Sequence, residues 1–227
     1  MTSIDPDERT RMLAAESLAT GHPTAWFELL YVAAESGEAT LPWDRGTPHP
    51  LFSEWANDHL GTGGGSSPGN ALIVGSGLGE DAEFIATFGF DTMAFDVSES
   101  AIGAARRRFP ESTVRYLTAD LLDPPPNWQR AFDLVVEIFT VQALPEPYRR
   151  RAIRNVAGLV ASGGTLLVIA AARNEDDAVN GPPWPLTRSE IDTFASDGLE
   201  PREIEDVRMP AQPDVRRWRA TFHRPIA

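Results

Sequence analysis

A chain of 227 residues, 42% hydrophobic and 23% charged, has the length of one domain with an appended segment, against roughly 150 residues per domain; no apolar run approaches the roughly 20 residues that cross a bilayer. Its 33 acidic and 20 basic residues give a net charge of −13, which disfavours gripping a nucleic-acid backbone. Every basic residue is Arg, and the chain has neither Lys nor Cys, so Schiff-base and Walker lysines, thiol nucleophiles, disulfides and Cys-ligated metals are excluded.

The opening MTSIDPDERTRM carries Asp5, Asp7 and Glu8 and no apolar h-region, unlike a signal peptide, which predicts a cytoplasmic protein. Helical periodicity runs from Arg9 to Ala19 and from Trp26 to Ser36. Pro42, Pro48 and Pro50 then forbid a continuous helix until about Leu51, leaving a shaped loop that carries aromatics. GTGGGSSPGN follows, and residues 61–69 read as a flexible connector between an N-terminal helical cap (1–60) and the main domain (70–227).

Short apolar runs then alternate with helical stretches, the pattern of βαβ units and a Rossmann-like, doubly wound, mostly parallel α/β sheet. The runs are 71–74, 91–97, 113–119, 132–139 and 164–172; the helices between them are 80–88, 99–108 and 146–161, the last stopped by Ser162-Gly163-Gly164. Thr187 and Glu190 form a capping box that opens a helix to Ser196. The closing PREIEDVRM and VRRWRATFH, joined by PAQPD, predict an antiparallel hairpin at the sheet's end. The arginine clusters at 106–108, 149–154 and 216–219 read as solvated faces.

The first run leads into Gly75-Ser76-Gly77-Leu78-Gly79-Glu80, where glycines permit a sharp turn and close approach of a ligand. Asp96, ending the second run, can accept two hydrogen bonds from ribose hydroxyls. Loop and acid together point to a nucleoside at the carboxyl edge of the sheet. A dinucleotide site has the spacing G-x-G-x-x-G, whereas here it is G-x-G-x-G-E, with Glu80 where a pyrophosphate would sit. An acidic group there suits a ligand with a cationic centre, such as S-adenosylmethionine; it equally suits the helix's own dipole. Asp120, after the third run, is placed to accept from an adenine amine. No His falls in a ligand spacing, so no metal is expected.

In the order and spacing of these motifs, residues 70–227 resemble the class I S-adenosylmethionine-dependent methyltransferases, which implies a seven-stranded sheet closed by the hairpin. Trp26-Phe27-Glu28, Leu41-Pro42-Trp43-Asp44-Arg45-Gly46, Pro48 and Pro50-Leu51 resemble the thiopurine S-methyltransferase family and the related thiol and halide methyltransferases, in which this segment folds over the cofactor. The resemblance implies that Trp26 lines the cofactor side and Trp43 the substrate side. It also implies that Gly75, with Ser76 and Gly77, holds the methionine end, Asp96 with Val97 the ribose, and Asp120 with Leu121 the adenine. Many members carry an Asp soon after the fourth strand, where this chain has Glu137; Glu137, also counted with the cofactor site, and His49 are the candidate bases. Trp184, in the loop 172–186, is positioned to close over an apolar substrate. The expected activity is methyl transfer to a thiol, hydroxyl or ring nitrogen of a small aromatic or heteroaromatic acceptor by a monomer or weak homodimer, without nucleic-acid or membrane partners. The competing readings are an NAD(P)-dependent oxidoreductase, which the glycine spacing and the absence of Y-x-x-x-K disfavour, and a non-catalytic nucleoside-binding protein of the same fold.

Overall fold

The computed structural model of the chain describes residues 6–61, 69–179, 181–209 and 212–226. Seven strands form one sheet: β1 (Asn70–Val74), β2 (Asp91–Asp96), β3 (Arg115–Thr118), β4 (Phe132–Ile138), β5 (Val160–Ala171), β6 (Glu200–Met209) and β7 (Gln212–His223). Their order is β3-β2-β1-β4-β5-β7-β6, with β7 antiparallel to both β5 and β6 and the other pairs parallel. The order reverses between β1 and β4, and the carboxyl ends of those strands and of β2 open onto one crevice.

The apolar runs are nearly unbroken because both faces of the sheet are covered. On one face Leu72, Val74, Val135, Leu166 and Val168 pack with Ile153, Val156 and Leu159 of α6 (Tyr148–Leu159) and Ile191 of α7 (Arg188–Asp192). On the other, Ala71, Ile73, Leu134, Val136, Leu167 and Ile169 meet Leu51, Phe52 and Trp55 of α3 (Pro50–His59), Ile85 of α4 (Glu80–Ala86) and Ile102 of α5 (Glu99–Arg108). The alternation along each strand sends odd and even residues to different cores. Near the crevice lie α1 (Pro6–Ala19) and α2 (Ala25–Glu35), the latter burying Trp26, Leu30, Tyr31 and Ala33.

Three expectations need correction. The third helix does not belong with the cap: Leu51, Phe52, Trp55 and Ala56 are buried in the sheet's second core, and the Trp55 indole donates to the Thr221 hydroxyl at 3.0 Å. The covering layer therefore ends before Pro50. The helix expected to run to residue 161 stops at Leu159, and Ser162-Gly163-Gly164 lies inside β5 as an irregularity opposite Phe132–Leu134. Gly163 there has φ +77 and donates its amide to the Arg224 carbonyl, while the Arg224 amide donates to the Gly164 carbonyl, so the glycines serve a strand distortion and not a helix stop. The arginine clusters are only partly solvated, since Arg149 is buried with its guanidinium on Glu190 at 2.6 Å, and Arg219 is held by Glu205 and Glu54. Most of the predicted 61–69 connector, residues 62–68, lies outside the described residues. No described helix is long and apolar enough to cross a membrane.

Candidate functional site

The crevice at the strand-order reversal holds a cavity of about 520 Å³. Its floor begins with the turn after β1, where Gly75, Gly77 and Gly79 all have positive φ. Two of these glycines answer to the protein itself: a Cβ on Gly75 would strike the Thr140 hydroxyl, and one on Gly79 the Tyr116 hydroxyl. Only Gly77 faces the crevice's roof, its nearest neighbours there being the Tyr31 hydroxyl and the Trp43 ring. Ser76 donates its amide to the Phe95 carbonyl at 2.9 Å, while its hydroxyl is buried with no partner.

Asp96 ends β2, and its carboxylate joins two loops: one oxygen accepts from Gly77 N and the other from Ser98 N, both at 3.0 Å. Burial raises its pKa against the lowering effect of these bonds. Asp120 accepts from Leu122 N at 2.8 Å, and Asp120, Leu121 and Val97 all line the cavity. An unpartnered hydroxyl, a carboxylate at a strand end and a second carboxylate beside apolar Leu121 are groups that can hold a nucleoside.

The roof comes from α2 and the loop after it. Trp26 is stacked on Phe27 and meets Trp43 edge-on at 6.4 Å; the Trp43 indole donates to the Tyr31 hydroxyl at 2.8 Å. Trp43 thus stands over the glycine turn, on the side where the sequence puts the methionine end, and not apart from it. Glu28 fastens the roof to α5, accepting from the hydroxyls of Ser98 and Ser100, each at 2.6 Å, and from Ser100 N at 3.2 Å. Burial pushes the Glu28 pKa up, but these bonds outweigh it and hold the carboxyl below its ordinary value. Arg108 completes the clasp by pairing with Asp44 of the loop and Glu80 of α4. Glu80 is therefore neutralised by a neighbour rather than free to face a cationic ligand.

Both candidate bases have other tasks. His49 caps α3: its Nδ1 accepts from Leu51 N at 3.2 Å, and burial, assisted by Arg45 and Arg217, lowers its pKa to about 3. A ring nitrogen already accepting a helix amide cannot take an acceptor's proton. Glu137 is wholly buried beneath the crevice and does not line its wall. One oxygen accepts from Thr140 N at 2.7 Å and Val141 N at 3.0 Å, the other has no partner, and burial raises the pKa from the ordinary 4.5 to about 7. Its task is to hold the turn that carries Phe139 and Thr140 into the cavity.

A test follows from the sign of that shift. A carboxyl whose folded pKa is raised stabilises the fold fully below its unfolded pKa, and the benefit is lost as pH climbs from about 4.5 to about 7. The loss is on the order of 3 kcal/mol at most. Glu137→Gln should remove this slope from unfolding free energies measured by denaturant between pH 5 and 8; a variant with the parent's slope would show that Glu137 is not the titrating group.

Trp184 also departs from expectation. Its amide donates to the Gln142 carbonyl at 2.7 Å, its ring lies 5.9 Å from the Arg149 guanidinium, and Pro182 and Pro183 line the cavity in its place. Residues that sequence reasoning passed over complete the wall: Tyr31, Thr140, Phe139, Arg45 and Arg217. Tyr31 could have been found one helical turn after Phe27. Arg217 was hidden in an arginine run whose members alternate sides along β7.

A family model described as a methyltransferase domain matches residues 71–164. The chain is similar to the probable thiol methyltransferase 2 of Arabidopsis thaliana, at 26% identity over 93% of this chain and 90% of that protein. It is also similar to thiocyanate methyltransferase 1 of Brassica oleracea, at 26% identity over 89% and 84%. Among solved structures it resembles the N-methyltransferase NodS of Bradyrhizobium japonicum in complex with S-adenosylhomocysteine, with TM-score 0.64 and 24% identity over 86% of this chain and 98% of that one. The matched domain, the reversed strand order and the nucleoside-ready crevice lead to one conclusion: the chain is an S-adenosylmethionine-dependent methyltransferase, with its methyltransferase domain over residues 71–164.

Proposed function

We propose that the chain methylates sulfur in a small thiol, with residues up to about 48 forming a roof and the rest forming the cofactor-binding domain. The carrying observation is that no His or Lys lines the cavity among the described residues, His49 and Glu137 being committed elsewhere. A thiol has an ordinary pKa of about 8.5, so a useful fraction is ionised near neutrality without a base, whereas a hydroxyl needs proton removal. The names of the two plant relatives, a thiol and a thiocyanate methyltransferase, support the same class.

When bound, S-adenosylmethionine supplies an electrophilic methyl group on a positively charged sulfur. In this reading Asp96 accepts from the ribose hydroxyls, Asp120 and Leu121 hold the adenine, and Ser76 and the backbone of Gly75 and Gly77 hold the methionine end. Trp26, Tyr31 and Trp43 exclude water, and the chain's contribution to rate is chiefly alignment of acceptor and methyl.

His49→Asn tests the base-free reading, because Asn is also a good helix cap. Turnover of thiophenol should stay within about threefold of the parent, where loss of a general base would cost about 100-fold or more. A hundredfold loss with unchanged cofactor binding, or faster turnover of phenols and heteroaromatic amines than of thiols, would overturn the proposal. The clasp offers a second test of the roof. Glu28→Ala should speed protease cleavage between residues 20 and 48 and weaken S-adenosylhomocysteine binding by about tenfold, since three hydrogen bonds to a carboxylate are lost. Equal cleavage rates and affinities would show the clasp to be incidental.

A further inference from the structure

Tyr31 projects from the buried face of α2 and is only 5% exposed, yet it lines the cavity together with the Gly75–Gly77 turn and Asp96. Its hydroxyl stands over that turn, 3.0 Å from where a Cβ on Gly77 would lie. The ring meets Trp43 edge-on at 5.8 Å, and the Trp43 indole donates to the hydroxyl at 2.8 Å. That bond occupies a lone pair of the oxygen and leaves its hydrogen unspent.

Among the described residues that hydrogen meets no acceptor. Asp96 acts on Tyr31 through its charge, but its oxygens already hold the amides of Gly77 and Ser98, and neither is bonded to the phenol. Burial first, and then the charge of Asp96, raises the Tyr31 pKa well above its ordinary value, outweighing the opposite effect of the Trp43 bond. The phenol therefore keeps its proton near neutrality and stands as a donor. An indole donating into the phenol oxygen strengthens its O–H further. A buried donor without an acceptor is destabilising, so beside a cavity the missing partner is an acceptor on the ligand. S-adenosylmethionine carries one anionic group, the carboxylate of its methionine part, and that part is assigned above to the turn beneath Tyr31. Of the donors on that turn, the amides of Ser76 and Gly77 are already spent on the Phe95 carbonyl and Asp96. Arg11 of α1 also lines the cavity, but it is exposed and its charge is screened by water.

We propose that Tyr31 is a cofactor-binding residue whose hydroxyl, held in place by the Trp43 indole, donates to the methionine carboxylate and so ties the roof to the bound cofactor. The phenol comes from α2 and its indole partner from the loop after it, so one bond to the ligand engages both parts of the roof. A ligand shifts a closing element only through contacts it makes in the closed state, and here that contact is with the amino-acid part of the cofactor and not with its nucleoside. This inference rests on the placement of the methionine end at the glycine turn and is independent of the acceptor's identity.

The test is calorimetry and limited proteolysis on the full chain with S-adenosylhomocysteine and with its decarboxylated analogue, S-adenosyl-3-thiopropylamine, which keeps the adenosine, sulfur and amine. The parent should bind S-adenosylhomocysteine at least about tenfold more tightly than the analogue, and only the former should slow cleavage between residues 20 and 48. Tyr31→Phe, which keeps the ring, should weaken S-adenosylhomocysteine by about tenfold and leave the analogue within about threefold of its parent affinity. Trp43→Phe removes the indole but not the phenol and should retain most of the preference. Equal affinity of the parent for the two ligands overturns the proposal without any variant. A preference that survives Tyr31→Phe overturns it by handing the carboxylate to another donor such as Arg11 or Ser76. An equal loss for both ligands in Tyr31→Phe, or a preference erased as fully by Trp43→Phe, overturns it by making Tyr31 a packing group of the roof. Failure of S-adenosylhomocysteine to bind the parent at all would instead strike the cofactor reading.

Discussion

Gly77→Val should reduce S-adenosylhomocysteine affinity by more than about 100-fold, the largest single effect expected in the protein. Gly77 has φ +54, a conformation costing a β-branched residue about 1–3 kcal/mol. Its new Cβ would sit 3.0 Å from the Tyr31 hydroxyl and 3.9 Å from Trp43, so the roof must shift to admit even the first carbon. The Gly77 amide is also one of the two donors that orient Asp96, so the same change disturbs the ribose acceptor. The strands lie below this turn, and far-ultraviolet circular dichroism should stay close to the parent's. Binding within about threefold of the parent by calorimetry would show that the turn merely connects β1 to α4.

Asp96→Ala should weaken cofactor binding by about ten- to a hundredfold, the equivalent of about 1.5–3 kcal/mol. The structure adds a cost that the residue's position in the sequence does not reveal. The amides of Gly77 and Ser98 both lose their acceptor in a buried place, at about 1–3 kcal/mol each, so the melting temperature should fall together with the affinity. Asp96→Asn separates the two roles, because its carbonyl oxygen can still satisfy one amide while the charge offered to the ribose hydroxyls is gone. The expected order of affinities is parent above Asn above Ala. A folded Asp96→Ala protein that binds as tightly as the parent would remove Asp96 from the site.

The sequence alone determined the class of the fold and the position of its crevice. Unbroken apolar runs of strand length, helices between them, the Gly75–Gly79 turn, Asp96 and Asp120 are signals carried within a few residues. Backbone periodicity and left-handed glycines are dictated locally, and a strand-end residue reaches the crevice whatever packs around it. The Thr187–Glu190 capping box was legible for the same reason, and both of its hydrogen bonds are present.

What a side chain does once it arrives depends on partners far away in the chain, and only the tertiary structure decided that. His49 reads as a base until Leu51, Phe139 and the sheet bury it as a cap; Glu137 reads as a strand-edge acid until both cores close around it. Arg217 reads as solvated until β7 slots in beside β5 and turns it toward the crevice, over Phe139. The third helix reads as part of the cap until Trp55 finds Thr221, 166 positions on. Each outcome turns on desolvation and hydrogen-bond satisfaction, quantities set by which surfaces meet. Periodicity says which face of an element seeks cover, but not which distant residue supplies it.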